Sequence, residues 1–150
     1  MQKIASFTIN HDALTPGLYV SRVDGDVTTY DLRMRTPNLN DYLSTGSAHT
    51  LEHLFATYVR SSAWSGQIVY VGPMGCRTGF YFLTRDLPAS AALELVRESC
   101  AFIRDYAGEI PGASAAECGN WEEHSLPGAK NCAEAFFRAL AGWTPERMAY

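Results

Sequence analysis

Hydrophobic and polar residues alternate in several short stretches of the chain, as they do in β-strands with one buried face. Five stretches have this alternation, or the β-branched and aromatic residues that favour strands: 7–9, 18–23, 27–34, 67–71 and 78–84. Asp24-Gly25-Asp26 joins the second stretch to the third and is typical of a hairpin turn. The pattern therefore predicts an antiparallel sheet, with Arg33 on the more polar face of its strand.

Three longer stretches place their apolar residues three and four positions apart, which predicts amphipathic helices. The predicted helices cover 48–62, 89–106 and 128–140, and Ser47 is expected to cap the first. Strands grouped around three helices indicate an α+β fold, in which an antiparallel sheet carries helices packed on one side. The chain has 150 residues and no linker or repeat, so we expect one domain over residues 1–150.

The first predicted helix has two different faces. One narrow sector holds polar groups with a small residue among them: His49, Glu52, His53, Ala56 and Arg60. The other side holds the apolar residues Leu51, Leu54, Phe55, Tyr58 and Val59. Two imidazoles four positions apart can reach one metal ion, and the Glu52 carboxylate lies beside them in the order H-x-x-E-H. The polar sector therefore predicts a metal site.

Composition narrows the class of protein. Hydrophobic residues make up 47% of the chain and charged residues 19%, which is typical of a globular protein. The net charge of −4 and the absence of a basic cluster argue against a nucleic-acid partner. No apolar run approaches the roughly 20 residues of a membrane span, and the N-terminus lacks the apolar core of a signal peptide. We therefore expect a cytoplasmic protein whose four cysteines are thiols or ligands rather than disulfides.

The four cysteines differ in their surroundings. Cys100 and Cys132 fall at core positions of predicted helices, where a thiol packs as a small hydrophobe. Cys76 and Cys118 each lie beside a glycine in turn-rich segments, where exposure is expected. Arg77 follows Cys76 directly, and a neighbouring guanidinium lowers the pKa of a thiol.

A catalytic metal site needs at least one protein ligand besides His49 and His53. The candidates are Cys118, Cys76, His11, His124 and several carboxylates, and spacing alone does not choose between the two cysteines. Two histidines with one cysteine suit Zn²⁺ or Fe²⁺ and exclude Mg²⁺ and Ca²⁺. The remaining cysteine is then free to act as an acid or base beside Glu52, a combination that suits proton transfer next to a carbonyl.

Three sequence blocks carry a resemblance to a known family. They are His49-Thr50-Leu51-Glu52-His53, the run from Gly72 to Tyr81 around Cys76, and Glu117-Cys118-Gly119 followed by His124. In this order and at these separations the chain resembles the S-ribosylhomocysteine lyase (LuxS) family, nearly from end to end. The similarity includes Ser6-Phe7, His11 and Tyr30-Asp31-Leu32-Arg33.

The resemblance implies a reaction and a place in metabolism. The family cleaves S-ribosylhomocysteine to homocysteine and 4,5-dihydroxy-2,3-pentanedione, the precursor of the quorum-sensing signal autoinducer-2. The same reaction serves the activated methyl cycle. Its course runs from aldose to 2-ketose to 3-ketose, followed by β-elimination of the homocysteine thiolate.

The resemblance also implies the roles of individual residues. His49, His53 and Cys118 would bind one Fe²⁺ per subunit, replaceable by Zn²⁺ or Co²⁺, and Glu52 and Cys76 would be the acid/base groups. The protein would be a homodimer with two sites at the interface, each built from both subunits. Residues at substrate-binding positions are Ser6, His11, Arg33 and Arg60, while His124 would orient a ligand or contact substrate. Tyr70 departs from the family, because many relatives carry an acidic residue there.

Two alternative functions follow from the same residues. A small metallohydrolase would also use H-x-x-E-H, with Glu122 or Glu123 as third ligand and with no need of Cys76. A non-enzymatic module would hold its ion for structure alone, in a site closed by four protein ligands.

Overall fold

A computed structural model describes residues 1–150 as four strands and three α-helices with three short 3-10 helices. The strands are β1 (Gly17–Asp24), β2 (Val27–Arg33), β3 (Ile68–Pro73) and β4 (Gly79–Arg85). The α-helices are α1 (Thr45–Arg60), α2 (Ala89–Asp105) and α3 (Leu126–Ala139). All strand pairs are antiparallel, in the spatial order β1-β2-β4-β3. The predicted α+β fold with one antiparallel sheet is confirmed.

The sheet has one apolar face and one polar face. Leu32 of β2 pairs with Leu18 on one side and Phe80 on the other, and Tyr30 pairs with Phe82. All five side chains are buried in the single hydrophobic core. Burying each of these side chains fully stabilises the fold by about 1.5–3 kcal/mol, so this face of the sheet packs on the core. Polar side chains of the same strands consequently point to the opposite face.

Helices α1 and α2 cover the apolar face of the sheet. Leu51 and Phe55 of α1 and Ile103 of α2 surround the same small apolar space as Leu32 and Phe80. The Phe55 and Phe82 rings meet edge to face at 5.6 Å, a favourable aromatic geometry. This packing turns the polar sector of α1, with His49 and His53, away from the sheet.

The start of α1 differs from the prediction. Ser44, rather than Ser47, is the N-cap: its hydroxyl oxygen accepts a hydrogen bond from the Ser47 backbone N–H at 3.2 Å. Ser47 is itself buried and accepts a hydrogen bond from the Ser44 hydroxyl. Tertiary contact explains the longer helix, because the Gly46 carbonyl in its first turn accepts a bond from the Ser125 N–H.

The predicted strand at 7–9 is wrong. Residues Ala5–Phe7 form a 3-10 helix, and the Thr8 hydroxyl donates to the Ala5 carbonyl at 2.7 Å. The His11 ring donates to the Ile9 carbonyl at 3.0 Å, which bends the chain instead of extending it. Such local side-chain bonds compete with sheet pairing, and three residues offer too little pairing to outweigh them.

Other expectations hold with small shifts. The second and third helices end one residue before the prediction, and α3 begins two residues earlier at a Ser125 cap. Cys100 and Cys132 are buried, as predicted. No helix in this chain combines the length and apolar character that crossing a bilayer requires.

Candidate metal centre and reactive cysteine

Four side chains converge at the N-terminal half of α1. His49 and His53 come from α1, and Cys118 and His124 come from the irregular segment between α2 and α3. One potential ligand atom from each lies within 4.8 Å of the others. The Cys118 sulfur is 3.3 Å from Nε2 of His49. The structure therefore brings together the three predicted ligands and adds His124 to them.

Backbone carbonyls fix the two α1 imidazoles. Nδ1 of His49 donates to the Glu123 carbonyl at 2.9 Å, and Nδ1 of His53 donates to the Pro111 carbonyl at 2.7 Å. A proton held at Nδ1 leaves Nε2 as the lone-pair nitrogen, and such bonds are typical of metal-binding histidines. With the soft sulfur of Cys118, this donor set fits a borderline ion such as Zn²⁺ or Fe²⁺.

His124 is held differently. Its Nδ1 lies 3.0 Å from the Thr50 hydroxyl, which accepts a hydrogen bond from the Ser125 N–H at 2.9 Å. If the hydroxyl donates to Nδ1, the ring proton lies on Nε2; if Nδ1 donates to the hydroxyl, Nε2 has a lone pair that can bind a metal. That Nε2 is buried without a hydrogen-bond partner in the chain. Burial, and then the charges of His49 and His53, lower the pKa of His124, which favours the neutral ring. Thr50 was not predicted as a partner of His124.

The carboxylates near this group remain outside it. Glu52 is half-buried and takes part in none of the side-chain hydrogen bonds or salt bridges, so its carboxylate is free. The Glu123 carboxylate is occupied by Thr45 and by Asn120, the latter at 2.6 Å. The group that holds the ligand atoms includes neither Glu122 nor Glu123.

Cys76 lies at the turn between β3 and β4, in an open cavity of about 700 Å³. Fourteen residues line it: Ser6, Phe7, His11, Arg33, Pro37, Asn38, Tyr42, Pro73, Met74, Gly75, Cys76, Arg77, Thr78 and Tyr81. Three predicted substrate-binding residues, Ser6, His11 and Arg33, are thus gathered around Cys76. The four residues of the metal group and Glu52 are not among the lining residues. Within one chain, the reactive thiol and the metal group belong to separate regions.

Arg33 stands on the polar face as predicted, but it is buried rather than exposed, with 2% of its surface accessible. Its Nη2 donates to Asp31 and its Nη1 to the Thr78 hydroxyl, both at 2.6 Å. Nη1 also lies 4.0 Å from the Cys76 sulfur. Burial alone would lower the pKa of Arg33, but the Asp31 hydrogen bond and charge raise it above its usual value. Arg33 is therefore a fixed cation beside the thiol.

The surroundings of Cys76 favour its thiolate. Burial raises the pKa of this thiol, whereas hydrogen bonds to the Thr78 hydroxyl and backbone and the Arg33 charge lower it. The lowering effects prevail, so the pKa of Cys76 lies below 9.0. The Thr78 hydroxyl is 3.1 Å from the sulfur. The sequence pointed to Arg77 as the cause, but the contributing cation is Arg33.

Two predicted residues lie elsewhere. Arg60, at the exposed end of α1, donates to the Val69 carbonyl at 3.1 Å and contributes neither to the cavity nor to the metal group. Tyr70 folds its ring over Gly72, where any side chain would overlap it. It lines a neighbouring cavity that shares Ser6 and Tyr81 with the one around Cys76.

Comparison with known proteins adds independent information. The family described as S-Ribosylhomocysteinase (LuxS) matches residues 4–147. The chain is 46% identical to the S-ribosylhomocysteine lyase of Clostridium acetobutylicum, over 100% of this chain and 99% of the relative. It is 46% identical to the protein of the same name in Phocaeicola vulgatus, over 100% and 98%. With that of Borreliella burgdorferi the identity is 41%, over 100% and 99%.

Proposed function

Because the chain belongs to the S-ribosylhomocysteinase (LuxS) family, we propose that it cleaves the thioether of S-ribosylhomocysteine. The products are homocysteine and 4,5-dihydroxy-2,3-pentanedione. The observation that carries the proposal is the presence, in one chain, of a His-His-Cys metal group and a thiol of lowered pKa beside a fixed arginine. The reaction needs both the metal group and the thiol, because neither of them alone serves every step.

We propose that His49, His53 and Cys118 hold one Fe²⁺ per subunit, with Zn²⁺ or Co²⁺ able to replace it. When bound, such an ion supplies Lewis-acid polarisation of a carbonyl oxygen. The Nδ1 hydrogen bonds of both histidines support this ligand set. For His124 we propose a different role, in which the Thr50 hydroxyl donates to Nδ1 and the proton lies on Nε2. That N–H donates a hydrogen bond to a substrate oxygen.

Proton transfer falls to Glu52 and Cys76. Each carbonyl migration removes a C–H proton next to a carbonyl and returns a proton to the former carbonyl carbon, while the adjacent hydroxyl loses its proton and the former carbonyl oxygen gains one. The last step removes the proton next to the 3-ketone, and the electron pair expels the homocysteine thiolate from the adjacent carbon. The unpaired carboxylate of Glu52 and the Cys76 thiol with its lowered pKa are suitable bases for these transfers.

The separation of Cys76 from the metal group supports a site shared by two copies of the chain. In the proposed homodimer, the cavity with Cys76, Ser6, His11 and Arg33 faces the metal group and Glu52 of the second copy. Exposed apolar side chains are consistent with a covering partner: Phe7, which lines this cavity, is 70% exposed, and Ile4, which lines the neighbouring cavity, is 56% exposed. Arg60 is proposed to contact substrate only in that assembly.

We propose that the reaction takes place in the cytoplasm, since it needs Cys76 and Cys118 reduced and all four cysteines are free. There the chain would serve the activated methyl cycle, and its product would supply autoinducer-2 for quorum sensing.

The test is to follow free thiol when protein loaded anaerobically with Fe²⁺ is mixed with S-ribosylhomocysteine. We expect wild-type protein to release thiol. Cys76→Ala should retain its metal and lose at least about 100-fold in rate, because general acid/base groups contribute at least that much. Cys118→Ala should lose both metal and activity.

Other outcomes would favour the alternatives. A peptidase would tolerate Cys76→Ala, and a structural metal site would leave wild-type protein unable to release thiol. Metal content by elemental analysis provides the control for both variants.

A further inference from the structure

The polar face of the sheet contains a buried charge network that the proposed proton transfers do not use. Asp31 is 0% and Arg33 2% exposed, and they form an ion pair of 2.6 Å. Thr78, also buried, joins Arg33 to the Cys76 sulfur. When Cys76 is ionised, this small region contains two anions and a single guanidinium, so Asp31 and Cys76 compete for one positive charge.

A tyrosine from a distant part of the chain enters this network. The Tyr150 hydroxyl donates to Asp31 at 2.6 Å, although the two residues are 119 positions apart. Its ring stacks on Tyr19 at 5.2 Å, and the Tyr19 hydroxyl is fixed by the Thr15 carbonyl. Burial, followed by the Asp31 charge, raises the pKa of Tyr150, so its hydroxyl remains protonated and donates.

Tyr150 and Arg33 use the same oxygen of Asp31. Both donate to Oδ2, whereas Oδ1 is buried without a partner. Nε of Arg33 is likewise buried and unpaired. The hydrogen bond from Tyr150 to Oδ2 therefore weakens the hydrogen bond that the same oxygen accepts from Arg33.

We propose that Asp31 and Tyr150 are positioning residues. Together they set how strongly the Arg33 guanidinium interacts with Asp31 and how strongly it interacts with the Cys76 sulfur. The ion pair with Asp31 weakens the interaction of the Arg33 charge with Cys76, and the hydrogen bond from Tyr150 to Asp31 limits this effect. The inference rests on the proposed role of Cys76 as an acid/base group. It predicts opposite effects for the two residues, which a general loss of structure does not produce.

The expected effects follow from the charges. Tyr150→Phe removes the competing donor, so Asp31 holds Arg33 more strongly and Cys76 ionises at higher pH. Asp31→Asn removes the competing anion, so Arg33 has only Cys76 as counter-ion and the thiol ionises at lower pH.

The experiment measures the alkylation rate of Cys76 by iodoacetamide across a pH series in the metal-loaded protein, resolved by mass spectrometry. The pH of half-maximal rate should rise for Tyr150→Phe and fall for Asp31→Asn. His11, Tyr42, Arg77 and Tyr81 also face the cavity of Cys76. They are present in every variant, so only differences between variants report on Arg33.

Two matched controls remove the same groups at sites outside this network. Asp26 pairs with Arg85 at the surface, and the Tyr58 hydroxyl donates to Glu98. Asp26→Asn and Tyr58→Phe should leave the midpoint of Cys76 unchanged. Cys100, whose pKa burial raises to about 12, should remain unmodified wherever the protein is folded.

Midpoints that move in the same direction, or a Tyr150→Phe midpoint equal to wild type, would overturn the proposal. If Asp31→Asn exposes Cys100, the Tyr150→Phe result alone decides. Thiol release from S-ribosylhomocysteine by wild-type protein is measured separately. The two measurements therefore distinguish a failure of this inference from a failure of the proposed function.

Discussion

His124 shows how a single hydrogen bond distinguishes a ligand from a donor. Carbonyl acceptors place the protons of His49 and His53 on Nδ1, so that Nε2 can bind a metal. For His124 we propose that the Thr50 hydroxyl provides the proton at Nδ1 and that Nε2 keeps its own. Three histidines in one group are thus expected to have two different functions.

We therefore predict that His124→Ala retains its metal and loses about 10- to 100-fold in the rate of thiol release, the range seen when groups around a metal site are removed. His124→Gln places an amide N–H near the position of Nε2 and should recover part of the rate. Metal content and rate are measured on the same samples. A His124→Ala protein as depleted of metal as Cys118→Ala would instead identify His124 as a ligand.

For single residues, the sequence was informative where the interacting partners are close along the chain. The spacing of His49 and His53 was sufficient to predict a shared ion, because helical periodicity fixes their relative positions. The burial of Arg33 was not predictable from alternation. Its partner Thr78 is 45 positions away, and Tyr150 reaches the same network over 119 positions from Asp31. Only the folded sheet brings these side chains together.

The contact between α1 and α3 holds residues of the metal group in position. A side chain at Gly128, in the first turn of α3, would overlap the hydroxyl of Ser47 on α1. The adjacent Ser125 binds both Thr50 and Gly46 of α1, so the two helix starts share one set of contacts. Close approach at Gly128 is therefore a requirement of the site.

We predict that Gly128→Ala lowers the free energy of unfolding by about 1–3 kcal/mol, as overpacking of a tight contact does. It should also weaken metal retention, because displacement of Ser47 shifts the proposed ligand His49, two positions further along α1. Denaturant unfolding at constant protein concentration and metal content provide the two measurements. Gly66→Ala is the control, since a side chain there meets nothing within 4 Å. Equal unfolding free energies for the two variants would refute the prediction.

Secondary structure was predictable where a long periodic pattern faced the core. Leu51, Leu54, Phe55 and Val59 of α1 are buried as its periodicity indicated, whereas Tyr58 is only partly buried. The strand at 7–9 was mispredicted, since local bonds from Thr8 and His11 bend the chain there. Capping by Ser44 was missed because the contact of Gly46 with Ser125 lies outside any local window.

The whole chain contains two parts of a reaction centre in separate places. The metal group lies on the outer face of α1, while the cavity of Cys76 opens on the polar face of the sheet. Alternation and helical periodicity describe faces of single elements, so only the family resemblance, which implies sites built from both subunits, led us to expect this separation. The proposed homodimer would account for this separation, because two-fold symmetry would pair each cavity with the metal group of the other copy.

The most direct test of this shared site uses mixed dimers of two inactive variants. Cys76→Ala and His53→Ala, carrying different tags, are co-expressed, and dimers with both tags are isolated and loaded with Fe²⁺. Each mixed dimer then contains one intact site of two, so we predict about half of the wild-type rate of thiol release. Dimers of either variant alone should be inactive. Mixed dimers without activity, beside active doubly tagged wild-type dimers, would contradict the account.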